Sequence, residues 1–340
     1  MKFRAYISLT ALALAATSVQ AQVDTRRCPP GTVNGFGVPD QTRASQDACQ
    51  KAIDLFQYMA PQLGTMLAGG NPTLGQGGTL GGLGHFTAGL RVNILQGSLP
   101  QVQNVRPSAT GAVSTQFQTK SQLLPMPTAD LAIGIFKGIP LALTNVGGVD
   151  LLVSASYVPE FDNSGVSVKV PNGSLKLGYG ARVGILQESL LIPGISVSYL
   201  VRDMPTLDIA GSSGSDSLYV NDLSLKTKAW RVTASKSLLI FGLAAGFGQD
   251  KYDASTAIGA HVAARTVPPS PAANAGPVSL SQNLTRTNIF ADLSMNLLLF
   301  KLTGEIGQVS GGTINTFNTF SGKQAADSRI YGSVGARFGF

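Results

Sequence analysis

The sequence predicts an all-β fold, an antiparallel transmembrane β-barrel of about ten to twelve strands. Three observations lead to this prediction. Apolar residues alternate with polar or small residues at a period of two, which is typical of strands with one apolar face. Charged residues make up only 13% of the 340 residues, against about 25% in soluble domains. Short and long connections alternate along the chain, as they do in barrels that cross a membrane.

Composition excludes three other classes of protein. A hydrophobic content of 44% is too high for a disordered chain. The 40 glycines have no three-residue period, so the chain is not collagen-like. The most apolar stretch beyond the amino terminus, 237–248, has 12 residues, whereas a membrane-spanning helix needs roughly 20. A helical membrane protein is therefore excluded.

The first 21 residues have the features of a signal peptide. Lys2 and Arg4 precede an apolar run over 5–16, and Val19 and Ala21 are small residues at the positions that a signal peptidase reads. The alternative is a buried amino-terminal helix. We expect export of the chain and removal of residues 1–21.

Cys28 and Cys49 are the two cysteines of the chain. Because exported proteins enter an oxidising compartment, we expect the two to form a disulfide bond. Two unpaired buried thiols are the alternative. A structural zinc site needs about four ligands, and the sequence offers only His85 and His261 in addition. We therefore expect no metal and no cofactor.

Residues 22–83 are predicted to form a plug in the barrel or a periplasmic segment. A helix is expected from Ser45, as its N-cap, to Leu67, with Pro61 kinking or splitting it. Its apolar stripe consists of Ile53, Phe56, Ala60, Leu63 and Leu67. Since an isolated helix of this length is marginal in water, the stripe needs a surface to pack against. The glycine-rich run 69–84 follows and is suited to tight paths along a wall.

The barrel is predicted to comprise residues 84–340. The predicted strands are 84–94, 131–138, 149–158, 175–185, 195–202, 222–237, 240–251, 288–297, 300–310 and 328–340. Two further strands are not excluded in 98–128, which would make twelve. The expected range is ten to fourteen strands. An even number of strands places both termini on the periplasmic side, where the short turns lie.

The last strand carries the most specific pattern. Its ending, 335–340, resembles the carboxy-terminal insertion signal of Gram-negative outer-membrane barrels, with Phe338 and the terminal Phe340 as the aromatic residues. This resemblance implies recognition by the barrel insertion machinery. It also implies a location in the cell outer membrane, with membrane lipid around the barrel.

A looser resemblance concerns the segment 44–83, where a short helix leads to Asn71 and Pro72 among glycines. In placement it is similar to the hatch of the long-chain fatty-acid transporter family, which implies a hatch inside the barrel. The chain departs from that family in its length, its cysteine pair and its strand number, since that family is expected to have fourteen strands. No ligand residues follow from this resemblance.

Strand alternation predicts which charged side chains face the lumen. The basic residues are Arg91, Lys176, Arg182, Arg202, Arg231, Lys301, Arg329 and Arg337, and the acidic ones are Asp130, Asp150, Asp250, Asp292 and Glu305. One interpretation is that these charges pair and brace a narrow barrel. The other is a constricted path that favours anions. Outside the strands, no dense basic cluster indicates a nucleic-acid partner.

The leading functional hypothesis is a channel or transporter for a small anionic or amphipathic solute. The alternative is a structural or adhesive barrel with a closed lumen, whose long loops 98–128 and 252–286 bind partners. A third hypothesis is a hydrolase with His261 and Asp250 or Asp253 as a dyad. No nucleophilic serine motif supports it, and we expect no enzymatic activity and no catalytic residues.

Overall fold

The computed structural model describes residues 28, 32–33, 39–102, 105–141, 143–163, 166–266, 269–298 and 300–339. Within them, ten strands pair in chain order and the last pairs with the first, so the sheet closes on itself. The strands are β1 (Phe86–Pro100), β2 (Thr119–Phe136), β3 (Val149–Tyr157), β4 (Leu175–Leu186), β5 (Gly194–Asp203), β6 (Asp216–Leu238), β7 (Phe241–Val262), β8 (Ala273–Leu297), β9 (Phe300–Ser310) and β10 (Arg329–Gly339). All ten pairings are antiparallel. The predicted barrel is confirmed.

Three wall strands are much longer than predicted. β6, β7 and β8 have 23, 22 and 25 residues, and they remain paired up to Val262 and Ala273. Most of the residues predicted to be the loops 206–221 and 252–286 are therefore strand. The reason is that backbone pairing continues above the membrane, where the outward side chains are no longer large and apolar.

The segment 98–128 adds no further strand to the ring. Its last part belongs to β2, which pairs with β1 as far as Pro100 and Thr119. The other short strands, which lie at the two ends of the barrel, are Thr32–Val33, Gln116–Phe117, Ile139–Leu141, Thr144–Val146, Phe161–Asn163, Val166–Lys169, Leu207–Ser213, Arg265–Thr266, Pro269–Ser270 and Thr319–Phe320.

The outer surface of the wall is apolar. Leu90, Tyr179, Ile306 and Val334 are between 63% and 72% exposed, while the residues that alternate with them face inward. Because a closed ring leaves no unpaired strand edge, its backbone polar groups are satisfied within the hydrocarbon core of a membrane. This is the architecture of an outer-membrane β-barrel with an apolar outer surface. In the described part of the chain, no helix is long and apolar enough to cross a membrane.

The helix α1 (Pro39–Ala68) lies inside the ring, where it contacts chiefly β6, β7 and β8. Its apolar stripe is buried, with Ile53 and Leu67 each 1% exposed, and packs in one cluster with wall residues that include Tyr252 and Leu284. The lumen is therefore the surface that the stripe requires. We call residues 39–85 the plug.

The plug enters the barrel at the end opposite to the short turns. Near its start, Gln41 Nε2 donates to the carbonyl oxygen of Ala263 at 3.1 Å, at the tip of the β7–β8 hairpin. Thr32–Val33 pairs with residues 273–274 at the same tip. At the other end, Gly77 N donates to Ser235 Oγ at 2.7 Å, beside the short β6–β7 turn. The start of the plug thus lies at the end of the long hairpins, and not at the end of the short turns, where both termini were expected.

The helix differs from its prediction in two details. It begins at Pro39, and Ser45 lies within it, where Ser45 Oγ donates to the carbonyl oxygen of Thr42. Proline is favoured at the first helical position, which explains the earlier start. Pro61 does not divide the helix. Pro61 has no N–H group and cannot donate to the carbonyl oxygen of Gln57. That oxygen instead accepts a 3.3 Å hydrogen bond from Gln282 Nε2 on the wall.

The predicted disulfide between Cys28 and Cys49 is confirmed, and both cysteines are buried. It ties the chain before the plug to the first turns of α1. The signal peptide, residues 1–21, and the terminal Phe340 lie outside the described residues. Phe338 faces outward on β10, opposite Phe300 and Ala88.

Candidate functional site: the contacts between plug and wall

Four wall residues converge on the carboxy-terminal end of the plug helix. Arg202 donates to the carbonyl oxygens of residues 67, 68, 69 and 70 at 2.9 to 3.3 Å. Arg231 donates to those of residues 68 and 70 at 2.6 and 3.2 Å. Arg91 and Asn93 donate to residue 69 at 2.7 and 2.8 Å, and Asn93 also donates to residue 66 at 3.1 Å. We call Arg91, Asn93, Arg202 and Arg231 the arginine clamp.

The chemistry of a helix end explains why the clamp is basic. The last four carbonyl groups of a helix have no partner within it, and they form the negative end of its dipole. Guanidinium groups supply several donors and a positive charge at one point. The clamp therefore satisfies the end of α1 in a place from which water is excluded, since Arg202 is 2% exposed.

Acidic wall residues balance part of this charge. Asp130 accepts two hydrogen bonds from Arg91 at 2.7 and 3.0 Å. Asp250 lies 3.5 Å from Arg231. Arg202, by contrast, forms no ion pair with a carboxylate within the described part of the chain, and its contacts are the plug carbonyls and Ser154 Oγ. Of the three arginines, Arg202 thus depends most on the plug.

Other wall carboxylates hold backbone amides of the glycine-rich part of the plug. Glu305 accepts from the amide of Gly70 at 3.1 Å, and Asp292 accepts from that of Gly75 at 3.2 Å. Asp150 accepts from the amide of residue 80 at 3.1 Å. The path is close to the wall: a Cβ at Gly77 would lie 2.4 Å from the carbonyl oxygen of Gly194. Glycine is required there for this approach.

The structure places every predicted lumen residue on the inner face of the wall. The buried ones are Arg91, Asp130, Asp150, Arg182, Arg202, Arg231, Asp250, Asp292, Glu305 and Arg329, and the partly buried ones are Lys176, Lys301 and Arg337. Arg182 pairs with Asp150 at 2.6 Å, and Lys301 donates to the carbonyl oxygen of Gly75 at 2.9 Å. With the plug in place, most of these charges are used in internal contacts, as the bracing interpretation requires.

Sequence reasoning missed two contributors to the inner face. Asn93 lies in the predicted strand 84–94, but its residue type did not mark it as a ligand of the plug. Arg286 was assigned to a loop because the strand was predicted to start at residue 288, although it shares the parity of Asn288 and Asp292. The alternation therefore indicated that Arg286 faces inward, but the predicted strand began two residues after it.

A small cavity of about 50 Å³ lies at the outer end, between α1 and the loops above the wall. Its lining includes Leu55, Phe117, Leu218, Lys51 and His261. His261 Nδ1 lies 2.6 Å from Asn274 Oδ1. The dyad hypothesis is wrong, because Asp253 and Asp250 lie eight and eleven residues from His261 on the same strand β7. These separations correspond to about 26 and 36 Å along a strand.

Comparison with known proteins gives matches among solved structures alone. No family model matches the sequence, and no curated protein matches it. Three solved structures are similar at low TM-scores. A TodX deltaS2S3 mutant monoaromatic hydrocarbon channel has a TM-score of 0.30 and 10% identity over 75% of this chain and 66% of the other. OmpT, an outer membrane protein of Vibrio cholerae, has a TM-score of 0.20 and 10% identity over 75% and 97% of the two chains.

An anion-selective porin from Comamonas acidovorans has a TM-score of 0.18 and 12% identity over 75% and 98% of the two chains. The present chain spans about two thirds of the length of the TodX channel. The ten-stranded ring departs from the fourteen strands expected for the long-chain fatty-acid transporters. The strand pairing of the chain itself, and not these similarities, defines its fold.

Proposed function

We propose that the chain is a gated outer-membrane channel, and that the plug closes its lumen until the contacts of the arginine clamp are released. The observation that carries the proposal is that the clamp holds the carboxy-terminal end of the plug helix by hydrogen bonds to backbone carbonyl oxygens. A hydrogen bond to a charged group is worth about 1.5–3 kcal/mol, and water or a solute can replace it. Release of these contacts is the step that the proposal requires before the plug can move.

The charge of the inner face supports an anionic solute. Basic residues predominate on it, with Arg91, Lys176, Arg182, Arg202, Arg231, Arg286, Lys301, Arg329 and Arg337 against Asp130, Asp150, Asp250, Asp292 and Glu305. When the plug leaves, its carbonyl oxygens no longer neutralise the clamp. A lumen lined by arginine and lysine favours anions. A ring of ten strands is also narrow, since barrels of eight strands are filled by their own side chains.

The lining of the outer cavity supports the proposal that the anionic solute is amphipathic. Leu55, Phe117 and Leu218 line it with apolar atoms, and Lys51 supplies a positive charge, which Asp47 pairs in this state. A small molecule with an apolar body and an acidic group matches this lining. The cavity lies at the end where the plug begins, and it is the first site that such a solute meets from outside.

A reversible cross-link tests whether the plug gates the lumen. Asn71 Nδ2 lies 3.3 Å from Ser198 Oγ on β5. The double variant N71C/S198C therefore places two thiols within reach of a short linker that contains a disulfide and is cleaved by a reductant. We expect cross-linked protein to lose its open events in planar bilayers and to regain them after cleavage. The two single-cysteine variants and unmodified protein, treated with the same linker and reductant, are the controls.

The rival function, a structural or adhesive barrel, has one observation in its favour: the inner face is packed by the plug. If neither cross-linked nor uncross-linked protein conducts, and if deletion of the plug does not change this, the lumen is closed for another reason. The structural function would then replace the channel.

A further inference from the structure

Two arginines lie close together near the outer end of the barrel, away from the arginine clamp. Arg286 on β8 and Arg329 on β10 are 1% and 0% exposed. Both guanidinium groups contact the same turn, 324–327, in the connection between β9 and β10. Arg286 Nη2 donates to the carbonyl oxygens of Ala326 and Asp327 at 3.0 and 2.7 Å, and Arg329 Nη2 donates to that of Gln324 at 3.1 Å.

These contacts use one nitrogen of each guanidinium group. The Nε and Nη1 atoms of both arginines are buried and have no hydrogen-bond partner in the described structure. The hydroxyl group of Tyr58, on the plug, is buried without a partner as well. The Arg329 guanidinium lies 5.6 Å from the centre of the Tyr58 ring. Unsatisfied donors and positive charges are thus concentrated where the plug meets the turn.

The acidic residues of this region are engaged with other groups. Asp250 lies opposite Arg286 in the register of β7 and β8, but it accepts a hydrogen bond from Asn288 at 2.8 Å and pairs with Arg231. Asp327 accepts at 2.8 Å from the amide of Gln324. Asp54 accepts from the amides of residues 317 and 318 at 3.2 and 2.8 Å. No salt bridge to Arg286 or Arg329 is formed within the described residues.

Two buried like charges repel each other, and a buried guanidinium group without a counter-ion is costly. An oxyanion removes both costs, because its oxygens accept several hydrogen bonds and its charge is opposite. We propose that Arg286 and Arg329 form a binding site for a small oxyanion, such as a carboxylate, sulfate or phosphate group, beneath the turn 324–327. The site deepens the proposed function, since it is where an anionic solute would bind before the plug moves.

Binding of sulfate to the full-length protein in detergent tests this site without requiring conduction. Sulfate is titrated at constant ionic strength against chloride, with isothermal titration calorimetry and the unfolding temperature as readouts. We expect saturable binding by the unmodified protein and a loss of affinity of about tenfold or more in R286Q and in R329Q. R265Q removes the same charge from an exposed position at the β7–β8 tip and should bind like the unmodified protein.

The conservative variant R329K separates binding from folding. It keeps the charge but loses the planar donor fork, so it should fold and bind sulfate more weakly than the unmodified protein. Equal sulfate binding by R286Q, R329Q, R329K and the unmodified protein would overturn the site, as would an absence of saturable binding in the unmodified protein. If sulfate binds as expected but no variant conducts, the site stands and the channel does not.

Discussion

Arg202 on the barrel wall donates a 2.9 Å hydrogen bond to the carbonyl oxygen of Ala68, the last residue of the plug helix. The wall thus caps the helix that fills the lumen. Because Arg202 has no carboxylate partner within the described residues, it loses most of its hydrogen bonds when the plug leaves. The contact couples the position of the plug to the charge of the inner face.

The first prediction concerns this contact. Arg202→Gln removes the charge and most of the donors that the carbonyl groups of residues 67–70 share. We expect more frequent openings in single-channel recordings, because each lost charge-assisted hydrogen bond removes about 1.5–3 kcal/mol from plug retention. Heat-modifiable mobility on gels checks that the barrel is folded.

Lys176→Gln is the matched control for Arg202→Gln. It removes the same charge from the inner face at a position that the structure does not place at the helix end. Its opening frequency should stay at the level of the unmodified protein. If both variants open equally often, the effect comes from lumen charge and not from plug retention.

The second prediction concerns the direction of the plug. An epitope inserted just before Cys28 should be accessible to antibody on intact cells, because this end of the plug is tied to the β7–β8 tip. An epitope inserted after Leu143, in the hairpin of the short β2–β3 connection, should be accessible only after permeabilisation. The reverse pattern of labelling would show that the plug enters from the periplasmic side.

The third prediction concerns the disulfide. A sequence separation of 21 between Cys28 and Cys49 corresponds to about 3 kcal/mol of constraint on the unfolded chain. Reduction should therefore leave the barrel folded while exposing the first turns of α1 to protease. Mass spectrometry of the protease fragments measures this exposure, and mass spectrometry after alkylation measures the number of free thiols. Quantitative alkylation of the native, unreduced protein would contradict the disulfide.

The fourth prediction concerns Asp54, on the plug and outside the membrane-spanning strands. Burial raises the pKa of Asp54 above its ordinary value of 3.8, although hydrogen bonds from Asn318 and Phe317 lower it. Since the pKa is higher in the folded chain, the folded state binds this proton more tightly. The resulting stabilisation is present below pH 3.8 and is lost as the pH rises through the raised pKa.

Asp54→Asn should therefore remove one contribution to the pH dependence of unfolding, at most about 1.4 kcal/mol per pH unit. Asn318→Ala should enlarge it, because the side chain of Asn318 lowers the pKa of Asp54. Urea unfolding followed by the fluorescence of Trp230 at several pH values gives both comparisons. Identical slopes in Asp54→Asn and the unmodified protein would contradict this role.

Alternation of apolar and polar residues predicted the ring and the inward charges, because lipid and lumen select different side chains on opposite faces of each strand. It placed Arg91, Arg202 and Arg231 on the inner face. It did not predict that all three meet the end of one helix. Their ligands are backbone carbonyl groups, which every residue carries, so no residue type marks them in a sequence.

The direction of the plug was also beyond the sequence. A helix and a glycine-rich run precede the first strand whether the chain starts above or below the membrane. The pairing of Thr32–Val33 with the β7–β8 tip decides between them, and these two residues carry no pattern of their own. Likewise, the tolerance of α1 for Pro61 depends on Gln282, a residue more than 200 positions away.

The central claim is that residues 39–85 close a lumen that is otherwise a path for anions. The most direct test is the single-channel conductance of protein lacking residues 22–78, compared with intact protein in the same salt, together with the reversal potential in a salt gradient. We predict a larger conductance and anion selectivity after the deletion, with the heat-modifiable barrel preserved. Equal conductance of the two proteins would contradict the claim.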